Sequence, residues 1–117
     1  MKFKIIVFEH PEPDVWGVFC GFCPANHYYC SGNNTFDKTL KRIKRRIRFD
    51  LEQRFMFPSH LEKYGWEITE NSVKPPIFTD EDTLRLAEKS YEITIDKYKI
   101  LKVHVKIPEG KFNRNTN

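Results

Sequence analysis

The chain contains no apolar run approaching the eighteen or so residues that cross a bilayer. Its opening, MKFKIIVFEH, is broken by lysine almost at once. Neither a signal peptide nor a membrane span is expected, and a cytoplasmic protein that does not engage membranes is the default. Glycine is scarce, five in 117 residues, and no glycine-rich phosphate loop or G-x-S-x-G elbow is written. The four histidines, His10, His27, His60 and His104, fall in separate segments, none in an H-x-x-x-H or H-E-x-x-H pattern. No enzyme and no cofactor is therefore expected. Cysteine is odd in number, three residues within one short region, which argues against a disulfide scaffold. A further absence is local: between Asp37 and Asp50 there is no acidic residue at all.

What is present suffices for one modest core. Hydrophobic residues make up 39% and aromatics 15%, so the chain should fold as a single domain and not stay disordered. Charge is unevenly spread. Residues 1–49 hold nine basic and four acidic residues, a net +5, against the formal +4 of the whole chain. KFKIIVFE (2–9) reads as a strand, with Phe3, Ile5 and Val7 on one face and Lys4, Ile6 and Phe8 on the other. VWGVFCGF (15–22) and HYYC (27–30) follow as two more strands, separated by proline-containing turns. Leu40, Ile43, Ile47, Leu51 and Phe55 recur every three or four residues, one apolar stripe on a helix of about five turns that Asn34 or Thr35 can cap. Thr79, with Asp82 three places on, opens a second helix whose inner face is Leu84, Ala87 and Tyr91. YEITID (91–96) is a candidate strand, and 99–107 a clearer one, with Leu101, Val103, Val105 and Ile107 alternating with polar residues.

The expected fold class is α+β: a two-layer, three-stranded antiparallel sheet with one packed amphipathic helix, plus a C-terminal helix and strand. The expected organisation is an α+β unit over 1–57, a linker region over 58–78 marked by Pro75-Pro76, a C-terminal helix-strand assembly element over 79–109 and a polar tail over 110–117. A long alternating strand needs a sheet, so it completes its own or extends a neighbour's, and a homo-oligomer is a reasonable expectation.

Three constellations carry chemistry. Cys20, Cys23, His27 and Cys30 spell C-x2-C-x3-H-x2-C, four ligands of the kind zinc takes in a tetrahedron. The spacing is tighter than the common zinc patterns, and free cysteines are among the most buried residues, so plain core cysteines are the competing reading. Asp80, Glu81 and Asp82 could hold a magnesium ion, but acids also suit a helix N-terminus. Seven Lys or Arg stand in the eleven residues from Lys38 to Arg48. Lys38, Lys41, Arg42, Arg45, Arg46 and Arg48 are the candidate contacts to DNA or RNA phosphates. An acidic protein partner or a merely solvated helix face would need the same residues.

KFKIIVFE, then WGVFCGFCP, then Gly32 and the helix FDKTLKRIKRRIRFDLE resemble the HicB-like antitoxin family. Gly17 and Pro24 match the residues that open and close the family's second strand; Gly32 and Thr35 match its turn; Leu40, Ile43 and Ile47 match its inner helix face. The resemblance implies a partial ribonuclease H-like fold without catalytic carboxylates. It also implies that the chain binds a small toxin protein, a ribonuclease, and occludes it. Carried over, the partner-binding residues would be Trp16, Phe19, Phe22 and Pro24. Two features depart from the pattern: the helix is basic where a basic toxin would favour acid, and the C-terminal part spells no DNA-binding helix-turn-helix.

Overall fold

The computed structural model describes residues 1–12 and 17–111. Its elements are β1 (Lys2–Glu9), β2 (Phe19–Cys23), β3 (Tyr28–Asn33), α1 (Phe36–Glu52), α2 (Pro58–Glu62), β4 (Glu67–Ile68), β5 (Val73–Lys74), α3 (Asp80–Tyr91) and β6 (Tyr98–His104). The class is α+β, as the sequence indicates, but the sheet has four strands and not three. Its order is β3-β2-β1-β6, every pair antiparallel. β6 pairs with β1 over its whole length, from Lys2 opposite His104 to Phe8 opposite Tyr98. The C-terminal strand thus completes the chain's own sheet, which corrects the division into a three-stranded unit and a separate helix-strand element.

The reason lies in β1. Ile5, Ile6, Val7 and Phe8 are all at most 2% exposed, so the strand is buried on both faces and needs a neighbour on both edges and cover on both sides. On one face Phe3, Ile5 and Val7 meet Ile43, Ile47 and Leu51 of α1. On the other, Ile6, Phe8, Cys20 and Phe22 meet Ala87, Leu84 and Tyr91 of α3, together with Ile95. The architecture is therefore helix, sheet, helix, three layers where two were expected. Each fully buried Ile or Leu of α1 contributes about 1.5–3 kcal/mol by leaving water. Gly21 lets that helix approach: a Cβ there would lie 2.5 Å from Ile43 Cδ1 and 2.7 Å from Thr39 Cγ2.

The segment expected as a linker, 58–78, is packed in its first part, whereas residues 75–79 form neither helix nor strand and Ile77 is exposed. Leu61 of α2 and Trp66 are buried in the α1-side core, Trp66 Nε1 donates to the Ala25 carbonyl at 2.7 Å, and β4 and β5 form a small hairpin. Thr79 caps α3 as its sequence proposes, its Oγ1 accepting from the Asp82 amide. Residues 91–96 are not a strand. α3 runs to Tyr91, and Glu92, at φ 57, ends it in the left-handed conformation. Ile107, expected on the dry face with Val103 and Val105, is exposed beyond the strand.

Candidate nucleic-acid interface

α1 begins at Thr35, whose Oγ1 accepts from the Lys38 amide at 3.1 Å, and Asp37 suits the positive end of the helix dipole. Ile43, Ile47 and Leu51 are buried and Leu40 is half-buried against the same core, so one side of the helix is fixed on the sheet. Lys38, Lys41, Arg42, Arg45, Arg46 and Arg48 are consequently left in solvent, as the apolar periodicity dictates. All six candidate nucleic-acid contacts share one face, over about 15 Å of helix axis at 1.5 Å per residue.

Few of these cations are neutralised. Arg46 Nε lies 3.3 Å from Asp50 Oδ1, and Arg48 Nε lies 3.7 Å from Glu52 Oε1. Lys38 Nζ donates to Asn34 Oδ1, and Arg42 donates over a long 3.4 Å to Asn33 Oδ1. Among the described residues, Lys41 and Arg45 have no acidic partner. The cations instead face each other: Lys38 and Arg42, Lys41 and Arg45, Arg42 and Arg46, and Lys44 and Arg48 are all i,i+4 pairs of like sign. Each such pair destabilises a helix by about 0.2–0.5 kcal/mol.

The C-terminal end of this face differs from the rest. Phe49 stands among the cations with 51% of its surface exposed. The Arg46 guanidinium lies 5.8 Å from the Phe49 ring centre and 5.5 Å from that of Tyr28. Asp50 is buried beneath, its Oδ2 accepting from Asn26 Nδ2 at 2.9 Å and its Oδ1 standing 3.4 Å from His60 Nε2. α1, the turn after it and α2 enclose a groove of about 590 Å³ here, lined by Arg46, Phe49, Phe57, His60 and Lys63 among others. No sequence pattern marks this groove, since His60, Asp50 and Asn26 come from three separated segments.

Of the residues implied as partner contacts, the three described ones do not form a common exposed surface. Phe22 is wholly buried under α3 and Pro24 is buried as well, so neither presents a surface in this conformation. Phe19 is half-buried, edge-on to Phe36, and Trp16 lies outside the described residues. The cysteine-histidine quartet is also split. Cys20 faces the α3 side of the sheet and Cys23 and Cys30 the α1 side, so one ion cannot reach all three thiols. Burial pushes the Cys20 thiol up to about 11 and the Cys23 thiol up to about 12, and raises that of Cys30. His27, at φ 53, is exposed and stacks on Tyr64 instead. Two of the three acids at the start of α3 are paired with cations: Asp80 with Lys4 at 2.7 Å and Asp82 with Arg85 at 2.7 Å. Among the described residues no cluster of His, Cys, Asp or Glu is placed to hold a metal ion, and no helix is long and apolar enough to cross a membrane.

Comparison with family models, with curated proteins and with solved structures finds no match to this chain.

Proposed function

We propose that the protein binds nucleic acid through the outer face of α1, and that it acts by binding and not by catalysis. The observation that carries this reading is the row of mutually repelling cations from Lys38 to Arg48, in which, among the described residues, only Arg46 and Arg48 have an acid within ion-pair distance. A face selected only for hydration would mix signs, because mixed signs stabilise the helix and serve hydration equally well. A strand of phosphates removes the repulsion and releases its own counterions. The aromatic groove at the end of the row favours a single strand, whose bases are free to stack, over a duplex.

Occlusion of a small ribonuclease, which the family resemblance implies, has less support. Two of its four contact residues lie in the interior, and the exposed face of α1 in that unit is basic. A fluorescein-labelled single strand of about twelve nucleotides, followed by anisotropy, tests the proposal. Binding is expected at low salt, weakening by about tenfold to a hundredfold between about 50 and about 200 mM salt. A complete lack of binding at low salt, or an affinity indifferent to salt, would reject it.

A further inference from the structure

The groove at the α1–α2 corner has an unusual construction for a surface feature. Phe49 and Phe57 are exposed by 51% and 58%, large apolar rings left in water beside a strongly cationic helix. Neither ring is needed to close the core, which is built on Ile43, Ile47, Leu51, Leu61 and Trp66. Arg46 is held in place by Asp50, at 3.3 Å, and by its position over Phe49 and Tyr28. Asp50 is in turn fixed from behind by Asn26 and flanked by His60. The result is a braced cation and two half-exposed aromatic rings around an open groove of about 590 Å³, with Lys63 also on its lining.

We infer that this groove is a nucleobase subsite: one or two unpaired bases of a single strand stack on Phe49 and Phe57, while Arg46 and Lys63 take the phosphates flanking them. The inference rests on the proposed binding of nucleic acid by α1 and adds to it a site that reads bases and not only charge. Three features select this occupant. The groove continues the cationic face without a break, since Arg45, Arg46 and Phe49 adjoin on α1. Its lining is cationic and aromatic together, the combination that a base with its phosphate complements. Its open, surface-facing form suits a base presented by a flexible strand. Asp50 is almost wholly buried and already bonded, so it braces Arg46 and does not read a base edge.

The test uses two labelled single strands of equal length and charge, one bearing bases and one abasic, with the wild-type chain and with Phe49→Ala and Phe57→Ala. The wild type should bind the base-bearing strand more tightly than the abasic one. Each substitution should lower the affinity for the base-bearing strand at least about fivefold, and Phe57→Ala, whose ring does not brace Arg46, should leave the abasic affinity and the salt dependence unchanged. Because both rings are exposed, both variants should keep the wild-type melting temperature. Phe57→Trp provides a second reading: its fluorescence should be quenched, beyond the change seen in wild type, by the base-bearing strand and not by the abasic one. Equal wild-type affinity for the two strands, with the phenylalanine variants unaffected, overturns the subsite while leaving charge-driven binding by α1 intact. Failure of the wild type to bind either strand overturns both.

Discussion

Buried thiols give this protein a sensitivity to alkali. Cys20 and Cys23 sit in the interior, with pKa values raised to about 11 and about 12 from an ordinary 9.0, the desolvated thiolate being the cause in both. The folded state therefore holds protons that the unfolded chain releases above pH 9. Stability is fully present below pH 9 and falls as pH rises toward 11–12, by about 1.4 kcal/mol per pH unit for each thiol. Urea midpoints measured near pH 8 and near pH 10 should show this decline, and Cys20→Ala with Cys23→Ala should make it shallower. An identical decline in the variant would locate the effect elsewhere. Gly21 is the other sensitive position. In Gly21→Ala the new methyl would meet Ile43 and Thr39 in the interior, and a loss of about 1–3 kcal/mol in chemical denaturation is expected.

At the scale of the element, α1 has its inner stripe set for stability and its outer face set against it. Replacing Lys41 by Glu should convert the repulsion with Arg45 into an attractive i,i+4 pair and should raise the melting temperature by a degree or more, the gain being about 0.5–1 kcal/mol. The same change should weaken binding to a single strand. A Lys41→Glu variant that loses stability would mean that the repulsion is already relieved within the folded protein. The cap works in the opposite direction: Thr35→Ala removes the acceptor for the Lys38 amide and should cost about 1 kcal/mol without altering affinity at temperatures well below the melt.

For the whole molecule, the inner stripe of α1 is legible in the sequence from Leu40 to Leu51, where period and burial agree, but not at Phe55, which falls in the turn beyond the helix end at Glu52 and is half-buried; of the two cap candidates Asn34 and Thr35 it is Thr35 that caps α1, and Thr79 caps α3. The third layer is harder to read, although its signal is present. Ile5, Ile6, Val7 and Phe8 form an uninterrupted apolar run, the mark of a strand covered on both faces, and Leu84, Ala87 and Tyr91 form the face that supplies the second cover. Pro75-Pro76 suggests a linker because proline breaks regular structure locally; that local rule says nothing about the tertiary packing that buries Leu61 and Trp66 nearby. The cationic half of the candidate site is visible as composition. Its groove is not, because Asn26, Asp50 and His60 meet only through the fold. The four-stranded sheet predicts that a chain ended after residue 97 loses β6 and with it cooperative thermal unfolding by circular dichroism.

The measurement that tests the central claim most directly is the salt dependence of single-strand affinity in the wild type and in Lys41→Ser/Arg45→Ser/Arg48→Ser. If the outer face of α1 carries the phosphates, the slope of log affinity against log salt should shrink by about 2 in the variant, roughly 0.7 for each phosphate no longer neutralised. An unchanged slope in a variant that folds as the wild type does would contradict the account.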